Sequence, residues 1–317
     1  MNVLVLVKPV PDPEKYNEIK INPETKCVVR EGVSTVINPT DLNALEAALQ
    51  LAGEAKAAAG IAGTADMAGG AAGTVTVLSM TPEFSKDKLV QCLAMGADRG
   101  YILSDRAFAG ADTYATSYVL AEAIRKIEAE LFGTDGSAAD GSAGIAAGVN
   151  AGGTGSFDLI LAGSSSADGG TAQVPVQVAQ WLGRPCITNA CGIEAAGQAA
   201  GQPDAEAASP MLMVTQQTED ALIEYEGRGP ALISVNRKIN KPRLINAMGI
   251  IKARKKPLTI WSNAELALDP GRIGINGSPT QPGGLFQPDI SRSGTPLQAE
   301  TAAEAAAKLL ELIGSNR

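Results

Sequence analysis

Residues 157–183, FDLILAGSSSADGGTAQVPVQVAQWLG, constrain the fold of this chain more than any other stretch. The apolar opening predicts a buried parallel strand over 157–162, and a loop of Gly and Ser follows it. A helix is then predicted to open at Thr171 with Ala172, Gln173 and Val174. A strand that turns into a helix through glycines aims several backbone N–H groups at one point. The positive end of the helix dipole is directed at the same point, which suits a phosphate or diphosphate.

The rest of the chain repeats the alternation. Further strands are predicted over 3–7, 75–79, 101–103, 211–215 and 231–235, with a hairpin partner for 211–215 over 218–226. Asn38 is placed to cap a helix that has Pro39 at its first position and Asp41 in its first turn. Leu42, Leu45, Leu49 and Ala52 give that helix an apolar stripe. A second helix is predicted over 83–95, stopped by Gly96, and a third from Asp112 with Val119, Leu120, Ile124, Ile127 and Leu131 on one face. Alternating strands and helices predict an α/β fold, a doubly wound, mostly parallel, Rossmann-like sheet covered on both faces. Ligands of such sheets bind at the carboxyl ends of the strands, so the loops after Val7, Ser79, Leu103 and Ala162 form one candidate site.

Three stretches rich in Ala and Gly, 53–73, 133–156 and 192–209, read as surface insertions. The α/β nucleotide-binding domain is expected to span 1–256 and to give way at 257–317 to an extended arm and a terminal helix. That helix is predicted over 297–313, with a capping-box start at Thr295, Pro296 and Gln298, and is expected to lie on a partner subunit.

Composition removes whole classes of chemistry. The chain of 317 residues has no histidine, which rules out Ser-His-Asp and Cys-His nucleophiles and any His-ligated metal. A net charge of −8 argues against nucleic acid as a partner. No apolar run approaches the roughly 20 residues that span a bilayer. The chain opens directly on the strand VLVLV, so a cytoplasmic location is expected. Cys27, Cys92, Cys186 and Cys191 have no metal or redox spacing and are expected to be plain thiols.

Taken in order, VLVLVKPVPDPE, GVSTVINPTDLNALEAAL, CLAMGADRGYILSD, DLILAGSSSADGGTAQV, KPRLINAMGIIKARKKPL and GSPTQ resemble the β (small) subunit of electron-transfer flavoproteins over nearly the whole chain. The resemblance implies a heterodimer with a larger α subunit that carries FAD. It implies an adenine nucleotide in this chain's own domain: AMP in ordinary carriers fed by acyl-CoA dehydrogenases, a second FAD in the electron-bifurcating subgroup. There NADH reduces that FAD, and the electron pair divides between a high-potential acceptor and a low-potential one, ferredoxin or flavodoxin. Carried over, the pocket takes Leu6, the helix start Asn38, Pro39, Thr40 and Asp41, and Met80. The phosphate loop takes Gly163, Ser164, Ser165, Ser166, Ala167, Asp168, Gly169, Gly170, Thr171, Ala172, Gln173 and Val174, with the amides around 169–173 on the phosphates. Asp168 repels phosphate and is expected to shape the loop or bond a ribose hydroxyl.

Two stretches resemble the bifurcating subunits, SDRAFAGADTYATS at 104–117 and ADGGTAQV at 167–174. They add Asp105, Arg106, Asp112 and Thr113 to the expected FAD contacts, Arg106 being either a flavin or NADH ligand or a solvated surface residue. Ser164, Ser165 and Ser166 stand where the family often has a basic residue and a glutamine, which leaves the loop without a cation. Between Asn240 and Lys256 lies the expected dehydrogenase-docking segment, with Ala247, Met248 and Gly249 where ordinary carriers place a leucine followed by proline. The run KARKK at 252–256 reads as a solvated rim or as a basic patch that steers acidic partners. A colourless, non-redox ATP- or AMP-binding regulatory protein is the alternative class. A pyrophosphatase-like enzyme would need a serine-rich loop after the first strand, where this chain has KPVPDPEK.

Overall fold

The computed structural model describes residues 1–12, 20–21, 28–29, 34–58, 73–133, 155–196, 211–280 and 297–314. Its centre is a nine-stranded sheet built outward from β1 (Asn2–Leu6). β1 pairs in parallel with β6 (Thr74–Met80) on one flank and β8 (Leu159–Gly163) on the other. β7 (Arg99–Leu103) and β13 (Leu258–Trp261) extend the β6 side, both parallel. On the β8 side, β12 (Ala231–Val235) and β9 (Cys186–Ala196) run parallel, followed by β10 (Met211–Gln217) and β11 (Leu222–Arg228) as an antiparallel edge. Two small pairs lie apart: β2 (Pro9–Pro11) with β5 (Thr35–Ile37), and β3 (Lys20–Ile21) with β4 (Val28–Val29).

The period of two in β1 explains the layering. Val3 and Val5 point to a face covered by Leu45, Ala48 and Leu51 of α1 (Pro39–Ala58) and by Leu89 and Leu93 of α2 (Lys86–Met95). Leu4 and Leu6 point to the opposite core with Ile124 and Ile127 of α3 (Thr113–Phe132) and Val178 of α4 (Val174–Leu182). A strand buried on both faces must be apolar where it is buried, and VLVL is, with the half-buried Asn2 at its start. The chain leaves β1 towards β6 and β7, then returns to the other flank of β1 at β8. The order reverses there, so a crevice opens at the carboxyl ends of β1 and β8.

Several expectations shift. The predicted helix over 83–95 is a 3-10 turn, Glu83–Ser85, leading into α2. Residues 53–58 of the first expected insertion belong to α1, and 192–196 of the third belong to β9. Of the second, Gly133 is the left-handed cap of α3, while 134–154 lie outside the described residues. The chain does not leave the core after Lys256: Trp261 and Ile273 are buried, and the larger compact unit runs to Gln281. In the second unit, from Pro282, the terminal helix is Ala302–Gly314, starting later than predicted. Its cap is Thr301, whose Oγ1 accepts from the Glu304 N–H at 3.3 Å, while Glu304 accepts from the Glu300 N–H. Thr301 thus supplies a side-chain cap without the reciprocal half of a capping box, since Glu304 bonds the Glu300 N–H; Thr295 and Pro296 lie outside the described residues. Cys92, Cys186 and Cys191 are free thiols, and Cys27 is likewise outside the described residues.

Candidate functional site

The end of β8 abuts the start of α1. A Cβ added at Gly163 would collide with Asp41 Oδ1 and Thr40 Oγ1, so glycine is required where strand and helix meet. Asn38 does not cap its own helix as predicted. Its Nδ2 donates to Ser165 O (2.9 Å), Thr40 Oγ1 (2.9 Å) and Asp41 Oδ1 (2.8 Å), and its Oδ1 accepts from the Ala167 N–H at 3.1 Å. Thr40 Oγ1 donates to the same Ser165 carbonyl at 2.9 Å. The helix start therefore clamps the first half of the 164–173 loop, far away in sequence. Asp41 is buried and its Oδ2 accepts from the Lys8 N–H at 2.7 Å. Burial pushes its carboxyl up to about 7, against the opposing hydrogen bonds from Asn38, Lys8 and Gly163.

The second half of the loop is exposed, with Gly170 at φ +61° and Ala172 at φ +56°. α4 begins at Val174 rather than Thr171, and no side chain caps it. Of the amides expected on phosphate, two are taken up within the loop: Gly169 N donates to Asp168 Oδ1 (2.8 Å) and Gly170 N to Ser166 O (2.8 Å). The N–H groups of Thr171, Ala172 and Gln173 have no acceptor among the described residues. With the uncapped start of α4 they form a set of outward donors, which fits an anionic phosphate. An added Cβ at Gly170 would meet nothing within 4 Å, so the approach is open.

A cation does stand at this loop, contrary to the expectation. Lys8, immediately past β1, places Nζ 2.7 Å from Asp168 Oδ1 and 3.4 Å from Ser166 Oγ. It also settles how Asp168 is tolerated, since the carboxylate is ion-paired. The sequence signal was positional: Lys8 follows the end of a central strand at the switch point. Leu6 is buried at that strand end, and Met80 is half-buried at the end of β6.

The loop after β7 joins the same edge. Thr113 Oγ1 donates to Gln173 Oε1 at 2.9 Å, tying the start of α3 to the phosphate loop. The two acids nearby serve the chain itself. Asp105 accepts from the Ala107 N–H (2.9 Å) and the Asn263 N–H (2.8 Å), contacts that hold its carboxyl below the usual range. Asp112 accepts from the Ala115 N–H and, through Oδ2, from Thr280 N and Oγ1; burial raises its pKa, but these bonds together carry it lower. Arg106 is exposed.

A separate face presents α5 (Ala247–Ala253), capped by Asn246 accepting from the Gly249 N–H at 2.7 Å. Arg243 grips the buried Glu46 in a bidentate pair, Nε–Oε2 2.7 Å and Nη2–Oε1 3.0 Å. Asn240 and Asn43 exchange side-chain-to-carbonyl bonds at 3.0 and 2.9 Å. Lys256 is not part of a solvated rim: its Nζ donates to Leu93 O, Gly96 O and Ala97 O, closing the carboxyl end of α2. Lys252, Arg254 and Lys255 remain exposed. Above this anchored backbone, Leu244 (92% exposed), Met248 (61%), Ile250 and Ile251 face outward.

A parallel α/β sheet with a donor-rich loop at its switch point places the chain in the doubly wound α/β class, whose ligands bind at that edge. Residues 25–152 and 135–266 match the electron transfer flavoprotein domain. The caffeyl-CoA reductase–Etf complex subunit CarD of Acetobacterium woodii is 36% identical over 310 residues, 98% of this chain and 97% of the relative. The electron transfer flavoprotein subunit beta of Megasphaera elsdenii is 36% identical over 300 residues, covering 95% and 92%. Protein FixA of Azorhizobium caulinodans is 32% identical over 289 residues, covering 91% and 85%. The chain belongs to the electron transfer flavoprotein family, as a β-type subunit. Among the described residues no helix is long and apolar enough to cross a membrane.

Proposed function

We propose that this chain holds an FAD of its own and, paired with an α subunit bearing another, passes electrons from NADH into two acceptors of different potential. The observation that carries the reading is the Thr113–Gln173 bond, which makes the phosphate loop and the start of α3 one continuous edge. AMP would not reach along that edge; a diphosphate with a flavin beyond it would. The N–H groups of 171–173 and the start of α4 would take the diphosphate, with Lys8 balancing its charge. Leu6 and Met80 would wall the adenine or ribose. The flavin, when bound, supplies the exchange of a hydride for single electrons; the chain supplies orientation and charge, which needs no histidine. An apolar face of Leu244, just before α5, with Met248, Ile250 and Ile251 of α5 gives an acyl-CoA-type dehydrogenase a seat, and the caffeyl-CoA reductase relative supports that class of partner.

An ordinary carrier with AMP in this chain is the second reading. It is favoured by Asp105 and Asp112, whose carboxylates are taken up by the chain's own contacts instead of facing a longer ligand. The test is the cofactor content of the co-expressed heterodimer with an NADH titration. Two FAD per dimer, bleached by stoichiometric NADH, is the expected result. One FAD with one AMP and no response to NADH would establish the ordinary carrier.

A further inference from the structure

Lys8 and Asp168 stand at the loop that the reading above assigns to the ligand's phosphates, and they are bound to one another. Asp168 Oδ1 accepts from Lys8 Nζ at 2.7 Å and from the Gly169 N–H at 2.8 Å. An ammonium and a glycine amide are donors of the kind that a phosphate oxygen also accepts from. The two residues lie in the segments that follow different strands, 160 positions apart, so the pair forms only when β1 and β8 lie side by side. The Lys8 side chain is 41% exposed and that of Asp168 17%, and Asp168 sits in a loop exposed over 167–173, so the ammonium has room to turn and the carboxylate has solvent beside it.

Resting on the nucleotide-site reading above, we propose that Asp168 is a built-in competitor of the ligand's phosphate for Lys8. On binding, the ammonium passes from the carboxylate to a phosphate oxygen, and Asp168 turns towards solvent. The phosphate carries more charge and offers more acceptor oxygens, so it wins the exchange, but Asp168 lowers the net gain. The residue thereby sets how firmly the nucleotide is retained, without forming part of its cradle. The effect acts on phosphate-bearing ligands and spares the nucleoside.

The test uses the full heterodimer freed of its β-site nucleotide and titrated calorimetrically with ADP and with adenosine. Asp168→Asn is expected to tighten ADP about two- to fivefold, the range exposed ion pairs reach, and to leave adenosine unchanged. Lys8→Met is expected to weaken ADP. In the Lys8→Met background the gain from Asp168→Asn should disappear, because nothing is left to compete for. Weaker ADP binding by Asp168→Asn would overturn the proposal and make Asp168 a ligand or loop-shaping residue. A gain that persists without Lys8 would overturn it in favour of simple through-space repulsion. A wild-type complex that binds neither ADP nor adenosine would instead remove the nucleotide-site reading, and this proposal with it.

Discussion

The carboxyl edge at β1 and β8 and the face around α5 are built from the same bonds arranged in opposite senses. At the edge, the polar groups of Asn38, Thr40 and Lys8 converge on a loop whose remaining donors point outward. At α5, the polar groups of Arg243, Asn240 and Lys256 are directed inward, and apolar side chains are left on top. The first arrangement offers hydrogen bonds to a charged small molecule. The second offers desolvation to a protein surface, on a backbone already fixed. The lesson is that the position of a polar network relative to the surface, and not its presence, separates a ligand cradle from a docking face.

The sharpest way to break the comparison is at its tightest contact. Gly163→Ala drives a methyl into Asp41 and Thr40 and should destabilise the domain by about 3 kcal/mol, at the top of the overpacking range. Thermal unfolding and co-purified nucleotide should both fall; an unchanged midpoint would mean that the start of α1 can retreat at no cost. Next comes Lys256→Met, which strips three carbonyls of an ammonium donor and should cost about 1–2 kcal/mol. It should also raise the KM for the dehydrogenase, because α5 loses its footing on α2, while nucleotide content stays the same.

Asp41 gives a smaller, pH-dependent effect. Its pKa is raised from 3.8 to about 7 in the folded chain, so its protonated form favours folding. That contribution is complete below about pH 4 and is lost as pH rises towards 7, with the Lys8 ammonium and the buried Cys92 thiol as its charged or titratable neighbours. Urea unfolding followed across that window should show the loss, and Asp41→Asn should flatten it. An identical slope in the variant would assign the titration elsewhere. The smallest change in stability belongs to Met248→Asp, within about 0.5 kcal/mol as for other exposed sites. Its docking effect should nevertheless be large, a KM for the dehydrogenase raised at least about tenfold; an unaltered KM would remove α5 as the seat.

The central sheet was legible because β1 and β8 are buried on both faces and read as apolar runs, while β6 reads through β-branched Val75, Thr76 and Val77 despite its buried Thr76 and Ser79. β9 was not. CITNACGIEAA has little β-branched or aromatic content, and it becomes a strand because β12 and β10 pair with it on either side. β13 was missed for a related reason: LTIW is short and follows a proline, and the buried Trp261 behind it declares itself only through packing. At the site, the loop and the start of α1 were visible as local patterns. The Asn38 clamp on Ser165 and Ala167, the Lys8–Asp168 pair and the Lys256 cap join residues more than a hundred positions apart, which no local period encodes. α4 was placed three residues early because Gly170 and Ala172 adopt left-handed angles and extend the loop.

Amide hydrogen exchange of the heterodimer with and without ADP tests the central claim most directly. The N–H groups of Thr171, Ala172 and Gln173, which have no acceptor among the described residues, should slow markedly when ADP is added and stay fast with adenosine. Protection that appears elsewhere on the chain while 171–173 remain fast would contradict the account and move the phosphate site off this loop.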